Sequence, residues 1–157
     1  MRRKGSNPGP DACNLVSPPT IGGVTKVDVS VPVESDLDIV SARHRGRQLA
    51  AEIGFSPTDA TLIATAISEL ARNIILYAKR GQITLKFVNH GDTDGIVIVA
   101  SDQGPGIPDV KQAVQDGYST SRSLGLGLPG VRRLMDDFEI VSKINQGTTV
   151  TVKKWRR

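Results

Sequence analysis

Glu69 and Asn73 stand four residues apart in "ISELARNIILYA", a spacing that puts a carboxylate and an amide on one face of a helix. At 100° per residue, Asn73 falls about 20° from Leu62 and Ala66 and about 40° from Tyr77, on the apolar side, with Glu69 at its margin. Polar groups turned toward a buried side are costly unless partners satisfy them. Either a functional pocket or a structural role, such as a salt bridge from Glu69 to Arg72 or Arg43, accounts for the pair. Asp102 follows the apolar run "IVIVAS" and precedes Gly104 and Gly106 in "SDQGPGIPD". A carboxylate there can accept a hydrogen bond from an amine such as the exocyclic group of adenine, and the glycines let a flat ring approach the backbone. An Asp-initiated turn is the alternative.

A third stretch, "SLGLGLPGVRRLM", spells G-x-G-x-x-G with Gly125, Gly127 and Gly130. A dinucleotide fingerprint needs its first glycine directly after a buried strand that opens a βαβ unit, and an acidic residue at the end of the next parallel strand. The preceding "DGYSTSRS" reads as no strand, and no such acid follows, so that reading is set aside. The glycines still suit phosphate, because they free backbone N–H groups to approach anionic oxygens and a helix begins just beyond them.

These residues need a scaffold, and the length of 157 residues allows one domain with a real core. Residues 1–22 hold prolines at 8, 10, 18 and 19 and little apolar periodicity, which predicts a flexible extension before a folded domain over 23–157. Val27, Val29, Val31 and Val33 alternate as a half-buried strand, at an edge because Pro32 cannot donate to a ladder. An amphipathic helix follows, capped by Ser35 or Asp36 and stopped by Gly54. A second begins at Ser56 with Pro57 in its first turn and runs to about Lys79. "QITLKFV" and "IVIVAS" predict a hairpin about "NHGDTDG". After Asp102 comes a long, mobile, partly helical segment rich in glycine and proline, of the kind that carries function. A helix over about 128–137 and two strands, "FEIVSKI" and "TTVTVKKW", complete an α/β fold. The expectation is a two-layer sandwich of a mixed, mostly antiparallel sheet with helices on one face.

Charge and cysteine content exclude several classes of function. Of the formal +4, residues 1–22 carry +2 and residues 153–157 carry +4, leaving −2 for the body, so no basic face for nucleic acid is expected. The single Cys13 has no partner for a disulfide or a metal motif. The basic start "MRRKG" leads into no apolar run and no stretch approaches a membrane span, which predicts a cytoplasmic protein without a membrane partner. His44, on the first helix, and His90, in a turn, read as surface residues.

The three sites together, in this order, resemble the ATPase superfamily that unites gyrase, histidine kinases and MutL: "ELARN" matches its N box, "DQGPG" its first glycine box and "SLGLGL" its second. Within it, "ISELARNI", "DQGPGIPD", "GLPGVRRLMDDF" and the terminal "KKWRR" are similar to the small bacterial serine/threonine switch kinases of the stressosome. There is no room for the phosphoacceptor helices of a histidine kinase or for a transducer domain. Ser123 stands where many relatives have glycine, and Leu76 where histidine kinases often have a basic residue.

The resemblance implies ATP and Mg²⁺ as cofactors. Asn73 would hold the Mg²⁺, and Asp102 would bind adenine with the support of Thr148 after Gly147. The nucleotide set would be Asn73, Tyr77, Asp102, Gly104, Gly106, Ser123, Leu124, Gly125, Leu126, Gly127, Leu128 and Thr148. Glu69 would act as the base that accepts the substrate hydroxyl proton, and Arg122 is either a γ-phosphate contact or a solvated side chain. The implied reaction is γ-phosphoryl transfer from ATP to a STAS-domain antagonist and a related stressosome scaffold, followed by binding of a downstream phosphatase or other effector. A nucleotide-regulated binding switch of the anti-sigma kind, with little transfer, and a plain ATPase are the alternatives.

Overall fold

The computed structural model describes residues 28–115 and 127–157, together with the backbone of Thr20–Ile21 (β1) and Val24–Thr25 (β2), which pair antiparallel. Strand β3 (Val29–Val33) keeps the valine alternation, burying Val31 and Val33. Among the described residues it pairs only with β4 (Gly81–His90), so Pro32 lies at a sheet edge, where its missing N–H costs nothing.

Helix α1 (Asp36–Ile53) has Ser35 as its N-cap, and the Asp38 carboxylate accepts the N–H groups of Glu34 and Ser35 at 2.8 and 3.2 Å. It stops at Gly54, whose φ of 104° lets its own N–H and that of Phe55 turn back onto Ala50. Helix α2 (Pro57–Ala78) starts on Ser56, whose hydroxyl accepts the Asp59 N–H at 3.1 Å. A Cβ on Gly46 would run into the Ile67 side chain, so the small residue lets α1 and α2 lie close together.

By length and composition alone α2 could cross a membrane, against the reading that no stretch comes near a span. Its hydropathy has another physical cause here: Ile63, Ile67 and Leu70 are buried in one cluster with the sheet residues Ile83, Leu85, Ile96 and Ile98.

Strand β5 (Thr93–Asp102) forms a hairpin with β4, with only Gly91 and Asp92 between the paired His90 and Thr93. Gly91 takes a φ of 65°, as the first central position of a two-residue type II′ turn requires. After β5 come the single turn α3 (Val110–Ala113), α4 (Gly127–Leu134), β6 (Asp137–Lys143) and β7 (Gly147–Trp155). The sheet order is β3-β4-β5-β7-β6, and each of the four pairings is antiparallel, with α1 and α2 packed against the sheet.

Helix α4 ends at Leu134, three residues short of the expected 137, because the chain is drawn into the sheet there. The Asp136 N–H donates to the Lys153 carbonyl at 2.9 Å, and the Asp136 carboxylate accepts the Trp155 N–H at 2.8 Å. The buried Lys154 donates its ammonium to the Leu134 carbonyl at 3.0 Å, satisfying one of the orphan acceptors at the helix end.

Candidate active site

Antiparallel register assembles the site. Asp102, the last residue of β5, is paired with Gly81 of β4 on one side and Thr148 of β7 on the other. It continues the row of Ile96, Ile98 and Ala100, which are buried against the helices, so by period two its carboxylate lies on the helix side. The C-terminal half of α2 crosses this end of the sheet, and α4 packs on α2. Between them is a cavity of about 230 Å³, lined by Asn73 and Tyr77 of α2, Asp102, Gly106 and Ile107 of the following loop, Gly127 and Leu128 of α4, and Thr148 of β7. Its remaining walls are apolar, with Leu70, Ile74, Ala100 and Val150 among them. An apolar slot with a few convergent polar groups suits a flat heterocycle.

The Asp102 carboxylate is half committed. Oδ1 accepts the N–H of Gly104 at 2.9 Å and that of Thr148 at 3.3 Å, while Oδ2 has no partner among the described residues. An amino donor is the complement of that oxygen. Gly104 and Gly106 are required here for stated reasons. A Cβ on Gly104 would press on Ala78, and Gly106 has a φ of 85° with the Lys143 carbonyl where a Cβ would be. Gly147, with a φ of 107°, leaves room for the Asp102 backbone, which is what brings the Thr148 N–H to the carboxylate.

Glu69 lies one helical turn before Asn73. It is buried at 7% exposure, deeper than the marginal position the helical wheel assigns it. Of the two arginines weighed as its partner, Arg72 is the one observed, with Nη1 donating to Oε2 at 2.7 Å, whereas Arg43 is exposed on α1. Oε1 accepts the Gly127 N–H at 3.2 Å. The carboxylate therefore ties α2 to the first residue of α4, where a negative charge also opposes the positive helix end. The salt bridge is thus observed for Glu69, and of the pair it is Asn73 that lines the cavity.

Of the residues expected to bind nucleotide, Asn73, Tyr77, Asp102, Gly106, Gly127, Leu128 and Thr148 line the one cavity, and Gly104 supports it through the Asp102 bond. Ser123, Leu124, Gly125 and Leu126, with Arg122, lie outside the described residues. The sequence reading did not single out Ser142. Its hydroxyl accepts the Ile107 N–H at 2.7 Å and sits 2.8 Å from the Thr148 hydroxyl. The signal that could have found it is the register of the last hairpin, which pairs Ser142 with Thr148 across the turn "INQG".

The donor set fits the nucleotide and the metal differently. Asp102 Oδ2 and the apolar walls match an adenine. The described residues hold no cluster of three or more His, Cys, Asp or Glu, so Asn73 would offer Mg²⁺ a hard amide oxygen, with most ligands coming from phosphates and water.

Comparison with known proteins places the chain. Residues 32–154 match the model of the histidine kinase-like ATPase domain. The chain is 51% identical over 127 residues to the serine/threonine-protein kinase RsbT of Bacillus subtilis (strain 168), an alignment covering 81% of this chain and 96% of that protein. It is 30% identical over 121 residues to the anti-sigma F factor of Geobacillus stearothermophilus, covering 72% of this chain and 81% of that one. Among solved structures, a chain of the SiaB–SiaC complex from Pseudomonas aeruginosa superposes with a TM-score of 0.53 at 13% identity. That match covers 82% of this chain and 89% of that one, a likeness of fold alone.

Proposed function

The chain belongs to the histidine kinase-like ATPase domain family, and from that premise we propose that it is a serine/threonine-protein kinase that moves the γ-phosphoryl group of ATP to a hydroxyl of a STAS-domain protein. The observation that carries the reading is the meeting of Asn73 and Asp102 in one cavity, with the buried Glu69 a single turn from Asn73. That arrangement supplies an adenine acceptor at one end and a metal ligand with a carboxylate base at the other.

Phosphoryl transfer asks little covalent chemistry of a protein; positioning and charge neutralisation dominate. Asp102 Oδ2 accepts the adenine amino group and the apolar walls hold the ring, which fixes the nucleotide's register. Free backbone N–H groups of the glycine-rich stretch between Gly125 and Gly130 would cover the phosphates, apart from Pro129, which has none, and Gly127, whose N–H is on Glu69. Asn73 would hold Mg²⁺, which would supply charge neutralisation at the phosphates. The acceptor hydroxyl oxygen bonds to the γ-phosphorus as the bond from that phosphorus to the β–γ bridging oxygen breaks, and ADP carries away the electron pair. Glu69 takes the hydroxyl proton. Each of its oxygens accepts one bond, from the Arg72 guanidinium or the Gly127 N–H, and keeps a second lone pair for the incoming hydroxyl.

The unit that does this is the folded domain over 23–157. Its substrates are a STAS-domain antagonist and a related stressosome scaffold, and once these are phosphorylated the released kinase binds a downstream phosphatase or other effector in the cytoplasm. Kinship with both a serine/threonine kinase and an anti-sigma factor supports a partner-switching role.

Incubating the purified chain with Mg-ATP labelled at the γ-phosphate and a STAS-domain partner from the same genome tests the reading. Label is expected on serine or threonine with the wild type, and it is expected to be lost in Glu69→Gln with ATP still bound. ATP binding without any labelled protein would refute transfer and leave a nucleotide-regulated binding switch. Label lost to phosphate alone would mean a plain ATPase.

A further inference from the structure

We infer that Ser142 is a specificity-determining residue of the nucleotide site, because it sets the direction of the Thr148 hydroxyl and so matches the cavity to the edge of adenine. The inference rests on the ATP-binding reading above and names the residue behind base selection. It starts from a hydroxyl with one proton and three neighbours. Ser142 Oγ accepts the Ile107 N–H at 2.7 Å, which occupies a lone pair. Its own proton can go to Thr148 Oγ1 at 2.8 Å or to the Gly147 carbonyl at 3.4 Å. Either hydroxyl can donate across the 2.8 Å contact; because an O–H···O bond is best at about 2.7–2.8 Å and weak near 3.4 Å, Ser142 is assigned as the donor to Thr148 when a ligand fills the cavity.

Thr148 is thereby left with its proton to give elsewhere. It is buried at 9% exposure and lines the cavity, so the place for that proton is the ligand. Asp102, register-paired with Thr148 and held by its N–H, lines the same cavity with Oδ2 unpartnered among the described residues. The two neighbours then offer an acceptor and a donor. Adenine presents the complement, an amino donor next to a bare ring nitrogen. A 6-oxo purine presents the reverse, a carbonyl acceptor next to a ring N–H, and meets Asp102 and Thr148 with two mismatches. Polar sites built this way reject the wrong partner because their own buried groups are left unpaired.

The same serine holds the Ile107 N–H, so its loss also loosens the loop. The experiment must separate selection from general weakening. Isothermal titration of the full chain with ATP and with inosine triphosphate, which exchanges the 6-amino group for a 6-oxo group and protonates the ring nitrogen, gives a ratio of affinities. Wild type prefers ATP. Ser142→Ala lowers the ATP-to-ITP ratio by about tenfold, and Ser142→Thr restores it. Equal weakening of both nucleotides, with the ratio unchanged, would show a merely structural serine and overturn the inference. If Ser142→Ala does not fold, the near-isosteric Ser142→Cys replaces it, since a thiol is a poor donor, and an unchanged ratio there overturns the inference as well. A wild type that binds neither nucleotide would instead defeat the ATP-binding reading on which this one stands.

Discussion

At the scale of single residues, the site separates binding from transfer, and variants should do the same. Glu69→Gln keeps the side-chain shape and removes the base, so the transfer rate is expected to fall by roughly 10²- to 10⁴-fold while ATP affinity measured by titration stays within a few-fold. Asp102→Asn can turn only one oxygen toward its partners. With the amide oxygen kept on the Gly104 and Thr148 N–H groups, an NH₂ faces the adenine amino group, and ATP affinity should drop by about 100-fold on titration. Arg72 touches Glu69 rather than the cavity and is a positioning residue. Arg72→Ala leaves the carboxylate free to turn, and kcat should fall roughly tenfold with KM for ATP nearly unchanged. If KM rose and kcat held, Arg72 would have to be reassigned to nucleotide binding.

At the scale of elements, α4 depends on contacts outside itself. Its eight residues are too few to form a stable helix alone, and both ends are held by side chains distant in sequence: Glu69 at the Gly127 N–H and Lys154 at the Leu134 carbonyl. Lys154→Ala removes the second hold and should lower the unfolding free energy by about 1–3 kcal/mol in urea denaturation. Because Gly127 and Leu128 of α4 wall the cavity, the same variant should also weaken ATP. Gly147 serves β7 and β5 together. A Cβ there meets the Asp102 backbone at a φ of 107°, so Gly147→Ala is expected to reduce both stability and ATP affinity, whereas Gly54→Ala, outside the cavity lining, should cost about 1–2 kcal/mol of stability and leave ATP affinity intact.

For the whole molecule, a nucleotide that binds only the folded state must stabilise it. At a free concentration of 100 times Kd the gain is about 2.7 kcal/mol, which for a chain of this size raises Tm by roughly 5–10 °C in a thermal melt. Asp102→Asn, binding about 100-fold more weakly, should cut the gain to about 0.4 kcal/mol at the same concentration, a shift of roughly 1–2 °C. Much of this architecture was legible along the chain, because its causes are local. Ser56-Pro57 and Gly54 mark helix ends through their own backbone preferences, valine alternation marks β3, and Pro32 marks an edge. Glu69, Asn73 and Asp102 stood out because an ionisable or amide group at the rim of an apolar pattern needs a reason. What stayed hidden was decided by pairs far apart in sequence. Glu69 on Gly127, Ser142 on Ile107 and the early end of α4 all follow from how β7 lies between β5 and β6 and how α4 settles on α2. Periodicity and capping depend on neighbours within a turn or two, so the elements and the residue types of the site could be read along the chain. Hydrogen-bond partners depend on strand register and helix packing, which the tertiary structure alone sets.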